Sequence, residues 1–288
     1  MKTWRTGYLR FSVYTLYSLR RYGMADAEPP PLAIITGGTS GIGLAVASRL
    51  MEDGYDVIVT GRNEERGAQA INQLRSCHEN QNAAFLALQS TSWSDYGKLA
   101  EMVRGRQVHA VVASAAFGLQ AHVTDTDPAT FLEIMSVNVA APLYLVEVLR
   151  PRLANPSSVV LISSDAGIDG EQALGAYSVS KAALNMLGRM MALDLAPQVR
   201  VNVVCPGDTV PGMRYLLRPG ESERAADDYL GWTLPPRQRL GTARDTAELV
   251  AFLVSPRSDF MVGSVTVIDG GSRAGRPDVM HPPDGKHS

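Results

Sequence analysis

The sequence predicts a doubly wound α/β domain, with a predominantly parallel sheet of about seven strands and helices on both faces. Short apolar runs rich in β-branched residues recur along the body of the chain, helix-period segments separate most of them, and a glycine-rich turn joins the first run to the first helix. Continuous rather than alternating apolar runs mark strands buried on both faces, and parallel neighbours need a crossover long enough to hold a helix.

The elements follow in order. Residues 32–35 (Leu-Ala-Ile-Ile) form the first strand, which ends in Thr36-Gly37-Gly38-Thr39-Ser40-Gly41-Ile42-Gly43 and opens an amphipathic helix reaching about Asp53. Further strands are expected over 56–60, 84–88, 108–113, 158–163, 200–205 and 264–268, each a short apolar run. Helix periodicity places helices over 64–75, 93–104, 128–153, 177–195 and 243–253. Nothing repeats at a fixed period and no linker-like break divides the body, so residues 31–273 read as one domain.

The ends read differently. Residues 1–23 carry Lys2, Arg5, Arg10, Arg20 and Arg21 with no acidic residue, interleaved with aromatic side chains. A targeting segment fits the basic start, but the apolar stretch is short, broken by Ser12, Thr15 and Ser18, and followed by Arg20-Arg21. The reading adopted for residues 1–30 is a disordered extension or a start assigned too early, with translation beginning at Met24. Residues 274–288, with several prolines, read as a disordered tail.

Composition narrows the partners. Lys and Arg number 27 against 29 Asp and Glu, a net charge of -2, which argues against a nucleic-acid or membrane surface and for a small-molecule partner. No stretch is read as reaching the roughly 20 apolar residues a bilayer span needs, and the expected location is the cytoplasm. Cys77 and Cys205 form no CxxC and read as reduced thiols. His109 and His122 lack partners at metal-ligand spacing, so no metal site is expected.

The glycine turn lies between a strand and a helix, where unpaired N–H groups and the helix dipole favour a pyrophosphate and glycines let the backbone come close. This Rossmann-type setting predicts dinucleotide binding. The second strand ends Val59-Thr60-Gly61-Arg62, with Gly61 where an acid would bind the ribose 2′-OH of NAD and Arg62 beside it, so NADP (NADPH) is favoured over NAD.

Tyr177-Ser178-Val179-Ser180-Lys181 opens a predicted helix, on which residues four apart share a face and set the Lys181 ammonium beside the phenol. A free tyrosine loses its proton near a pKa of about 10, and a neighbouring cation favours the phenolate. Ser164 lies thirteen residues upstream, at the end of the fifth strand.

Thr36-Gly37-x-x-x-Gly41-x-Gly43, Asn138 in Ser136-Val137-Asn138, Ser164, Tyr177-x-x-x-Lys181 and Pro206-Gly207, in that order, resemble the short-chain dehydrogenase/reductase family over roughly residues 31–271. The resemblance implies an NADP(H)-dependent oxidoreductase that interconverts a ketone and a secondary alcohol. It implies that Tyr177 gives or takes the proton, that Ser164 bonds the same oxygen, and that Lys181 holds the nicotinamide ribose and lowers the Tyr177 pKa. Asn138 would hold a water linking Lys181 to solvent. Thr36, Gly37, Thr39, Ser40, Gly41, Ile42, Gly43, Arg62, Gln89, Ala115, Asn138, Tyr177, Lys181, Pro206 and Gly207 would meet the cofactor. A homotetramer or dimer built on the two long helices is also implied.

Two segments depart from the family pattern. Ala113-Ser114-Ala115-Ala116 stands where Asn-Asn-Ala-Gly is usual, and Gln89 replaces an aspartate commonly placed near the adenine. The long segment after Pro206-Gly207, residues 208–240, is expected to cover the pocket as a lid carrying Met213, Tyr215, Leu216, Leu217, Tyr229 and Trp232. Acidic residues in 165–172 sit near the expected mouth and admit a polar or cationic substrate. Two alternatives keep most of these features: an NAD-dependent alcohol dehydrogenase of the same family, and a dinucleotide-binding regulator without turnover.

Overall fold

A seven-stranded parallel sheet organises the described residues. The structure, a computed structural model, describes residues 29–210, 216–217 and 234–275. Compact units divide the chain between Pro30 and Pro31, and the sheet belongs to Pro31–Ser288. The extension and tail expected at the ends, and most of the expected lid, lie outside the described residues.

Seven strands form the sheet: β1 (Leu32–Thr36), β2 (Asp56–Gly61), β3 (Ala83–Ala87), β4 (Val108–Ala113), β5 (Leu153–Ile162), β6 (Val199–Pro206) and β7 (Val265–Ile268). Their order is β7-β6-β5-β4-β1-β2-β3, and every pairing is parallel. β1 is the hinge of the topology. Leu32 pairs with Asp56 of β2 on one side and Val108 of β4 on the other, so the chain reverses its direction of winding at β1 and leaves a crevice beyond the strand ends.

Helices cover both faces: α1 (Gly41–Glu52), α2 (Glu64–Cys77), α3 (Trp93–Met102), α4 (Pro128–Met135), α5 (Ala141–Leu149), α6 (Gly175–Leu195) and α7 (Ala243–Val254). Alternate side chains of each strand enter opposite cores. Ile34, Val111, Leu161 and Val203 pack with Leu99, Leu145, Leu149, Leu184 and Met191 of α3, α5 and α6. Ile35, Val112, Val160 and Val204 pack with Val46, Leu50, Leu74, Val250 and Leu253 of α1, α2 and α7. Continuous apolar strands are therefore what two covered faces demand. Local signals set the helix starts: the Asn63 side chain accepts from the Arg66 N–H at α2, and Thr242 and Asp245 form a reciprocal capping box at α7.

Two expectations are corrected. The helix expected over 128–153 is not one α-helix, because Ser136–Ala140 forms a π turn between α4 and α5, Arg150–Arg152 is a 3-10 turn, and Leu153 already belongs to β5. The helical run Pro128–Arg152 is also long and apolar enough to cross a membrane, with a mean hydropathy of 1.5 over its best window, contrary to the reading that no stretch is. Its interruptions at Glu133, Ser136, Asn138 and Glu147 hide this in the sequence. In the fold Ile134, Leu145, Val146 and Leu149 turn one side of it into the protein, while Leu132, Leu143 and Tyr144 stay exposed.

Candidate active site

The glycine turn crosses the end of β1 with almost no free space. Gly37 has φ +65, and a Cβ there would lie 2.8 Å from the Ala115 backbone. A Cβ on Gly43 would come within 2.3 Å of the Gly37 carbonyl oxygen, so the first turn of α1 packs backbone on backbone. Gly41 has φ +52 and open space around it. Ser40 caps α1 without a side-chain hydrogen bond, which leaves the first-turn N–H groups to the cleft. These observations fit a dinucleotide, whose pyrophosphate suits a helix N-terminus approached closely by backbone.

Fourteen of the sixteen residues expected in the site line one cleft of about 260 Å³. The phosphate turn supplies Gly37 and Thr39 to Gly43, the ends of β2 and β3 supply Arg62 and Gln89, and Ala115 follows β4. Ser164, Tyr177, Lys181, Pro206 and Gly207 close the other end. Thr36 and Asn138 stand behind this lining. Thr36 Oγ1 accepts from the Ser114 and Ala115 N–H groups at 3.2 and 3.3 Å, so the departure from Asn-Asn-Ala-Gly keeps a backbone path tied to β1.

Asn138 is fully buried behind the lining, and its side chain is engaged by protein groups. Its side-chain Nδ2 donates to the Phe117 carbonyl at 2.7 Å and to Ser180 Oγ at 2.9 Å, and its Oδ1 accepts from the Phe117 N–H at 2.8 Å. Both amide hydrogens are used, so a water held by Asn138 would have to donate to one of its carbonyl oxygens. The side chain clamps the segment after β4 to the first turn of α6, where Ser180 Oγ also donates to the Tyr177 carbonyl at 2.7 Å. Phe117, which also lines the cleft, meets Asn138 through its backbone, and no side-chain signal in the sequence marks that contact.

Tyr177 and Lys181 are both buried, and Lys181 Nζ lies 5.4 Å from the Tyr177 ring centroid and donates to the Ile162 carbonyl at 2.9 Å. Burial pulls the ammonium down to about 8. Among the described residues no carboxylate pairs with it. Burial also pushes the Tyr177 hydroxyl above its ordinary range; a hydrogen bond with Ser164 works the other way, and Asp165, Glu171 and Cys205 add to the rise. Burial, the largest cause, runs against the downward shift expected from Lys181.

Sequence reading also missed how the acidic groups gather. Asp165, Glu171 and Asp208 are all pushed upward, first by burial; Asp165 raises Glu171 and Asp208, and Asp208 adds to the rise at Glu171. Arg273 pairs with Asp169, and its N–H bonds Asp269 at 2.8 Å. Thr209 lines the cleft, and its hydroxyl bonds the Gly207 carbonyl at 2.9 Å, a role its place two residues past Pro206-Gly207 could have suggested.

Comparison with known proteins fits this geometry. Residues 37–273 match the protein family described as enoyl-(acyl carrier protein) reductase. The NADP-dependent (R)-specific alcohol dehydrogenase of Lentilactobacillus kefiri is 31% identical over 259 residues, covering 87% of this chain and 100% of that protein. The chain belongs to the short-chain dehydrogenase/reductase family. Tropinone reductase-like 3 of Erythroxylum coca, 31% identical over 251 residues, spans 84% of the chain and 92% of its own length. The crystal structure of a dehydrogenase/reductase from Sinorhizobium meliloti 1021 superposes with a TM-score of 0.73 at 28% identity, covering 86% of this chain and 96% of that one. This short-chain dehydrogenase/reductase is an NAD(P)-dependent oxidoreductase acting on small molecules.

Proposed function

We propose that this enzyme interconverts a ketone and a secondary alcohol with NADP(H), and that Tyr177 gives and takes the proton. The carrying observation is that Ser164, Tyr177, Lys181 and the glycine turn line one cleft. Bound there, the dinucleotide supplies the hydride. The protein supplies the proton and its position. Tyr177 donates its O–H to the carbonyl oxygen in reduction and accepts the alcohol proton in oxidation. Ser164 bonds the same oxygen and steadies its developing charge. The buried ammonium of Lys181, held by the Ile162 carbonyl, faces the phenol and offers its remaining hydrogens to a ribose hydroxyl.

Preference for NADP rests on the end of β2. A Cβ on Gly61 would meet Thr39 Cγ2 at 2.9 Å, so an acid that would repel a 2′-phosphate has no room without moving Thr39. Arg62 lines the cleft next to it. The name of the Lentilactobacillus relative, NADP-dependent alcohol dehydrogenase, agrees with this choice.

Two measurements test the two parts. Fluorescence titration is expected to show NADPH bound at least about tenfold tighter than NADH, a difference of about 1.4 kcal/mol. A panel of ketones and secondary alcohols is then expected to reveal NADPH-dependent turnover that Tyr177→Phe lowers by about 10²- to 10⁴-fold. Tighter NADH binding would overturn the cofactor assignment, and full activity of the Tyr177→Phe enzyme would overturn the role of Tyr177.

A further inference from the structure

Asp165 directly follows Ser164 and is drawn into the same site. The Ser164 hydroxyl donates to Asp165 Oδ1 at 3.1 Å, and the Ala166 N–H bonds the same oxygen at 2.9 Å. Asp165 Oδ2 turns toward Gly207, close enough that a Cβ there would sit 3.3 Å away. A hydroxyl has one hydrogen to give. While Ser164 gives it to Asp165, its oxygen can only accept, as it does from the Ala166 N–H at 3.2 Å. It cannot also donate to a substrate oxygen.

We propose that Asp165 is a positioning residue that sets the direction of the Ser164 hydroxyl, and thereby whether one proton donor or two face the substrate carbonyl. This rests on the reading of Tyr177 and Ser164 as the pair that meets that oxygen. With Asp165 ionised, the Ser164 hydrogen points at the carboxylate and Tyr177 alone faces the carbonyl. With Asp165 neutral, its own O–H donates to Ser164 Oγ, and the Ser164 hydrogen turns to the carbonyl. The switch takes up one proton from solvent, which forms the O–H bond of Asp165; apart from that only hydrogen bonds change.

The surroundings shift Asp165 toward its neutral form. Glu171 faces Asp165 from its own loop, Cys205 and Asp208 from the end of β6, Asp269 and Arg273 from beyond β7, and Tyr177 from α6. Burial, reinforced by Asp269, holds the proton on Asp165 to a higher pH than a free aspartate keeps it; Ser164, Ala166 and Arg273 oppose this. As pH rises through that raised midpoint the second donor is lost, so reduction slows.

Two measurements on the full chain test the proposal. In protein labelled with carboxyl-¹³C aspartate, the Asp165 resonance is identified by its loss in Asp165→Asn. Its NMR midpoint is expected above the ordinary aspartate range, and higher still in Ser164→Ala, which lacks the hydrogen bond that favours the carboxylate. An unchanged midpoint in Ser164→Ala overturns the link. With NADPH and 2,3-butanedione, a ketone without a titrating group, kcat/KM is expected to fall about tenfold through the same midpoint, the worth of one charge-assisted hydrogen bond. Asp165→Asn is expected to keep the acid-side rate and lose this limb, whereas a limb that survives the substitution overturns the proposal. If the wild-type enzyme reduces no carbonyl compound, the proposed function fails, and the NMR midpoint alone decides the inference.

Discussion

Lys181 shows at the scale of one residue how a site can cost a protein stability. The residue is 2% exposed, and its ammonium holds one backbone carbonyl and has no carboxylate partner among the described residues. Its folded pKa of about 8 lies below the ordinary 10.5, so the unfolded chain binds the proton more tightly and the buried charge opposes folding. Lys181→Met is therefore expected to raise the unfolding free energy by about 2 kcal/mol at pH 7 in urea titrations, while turnover falls by about 10²-fold or more. The gain should be full below pH 8 and shrink as pH climbs from about 8 toward 10.5, because the wild-type lysine then folds neutral. A wild-type protein more stable than Lys181→Met at pH 7 would show that the ammonium has a stabilising partner. At this scale the sequence offered Ser164, Tyr177 and Lys181 as candidates, through one helical spacing and a family resemblance, and all three line one cleft. Their electrostatics were not legible in it, because the rise at Tyr177 comes from depth of burial and from carboxylates on other loops.

At the scale of elements, the glycines separate what the fold needs from what it tolerates. In α1, a methyl group on Gly43 would press on the Gly37 carbonyl, which is backbone and cannot swing aside. Gly43→Ala is expected to destabilise the enzyme by about 2 kcal/mol and to abolish dinucleotide binding, read by thermal melting and fluorescence titration. Gly97, inside α3 with open space where a methyl group would go, gives the opposite expectation: Gly97→Ala should stabilise by about 0.5–1 kcal/mol with binding unchanged. Equal effects at the two positions would mean that helix propensity, and not the close approach, governs Gly43. Strand and helix order were plain in the sequence because buried parallel strands leave continuous apolar runs. The π turn at Ser136–Ala140 was not, since periodicity cannot register one added residue in a helix, and the clamp of Asn138 on Phe117 pairs a side chain with backbone that any residue would offer.

At the scale of the molecule, α6 turns Val179, Met186, Met190 and Leu193 outward, with Leu193 75% exposed, and α4 and α5 expose Leu132, Leu143 and Tyr144. Spacings of seven, four and three keep the α6 residues on one side of the helix. An apolar face of this kind suits burial against a second copy, and the expected state is a dimer or tetramer. Sedimentation should show it, and Met186→Glu with Leu193→Glu should shift the protein toward monomer; a monomeric wild type would remove this assembly from the account. The order of the sheet has a further consequence, for synthesis on the ribosome. The glycine turn is made early, yet one wall of its crevice is β4, which pairs Val108 with Leu32, and the far end waits for Tyr177 and Pro206. A nascent chain therefore carries a phosphate-binding turn long before it has a pocket, and β1, an apolar strand with one side unpaired until β4 emerges, is the stretch most in need of a chaperone during that interval.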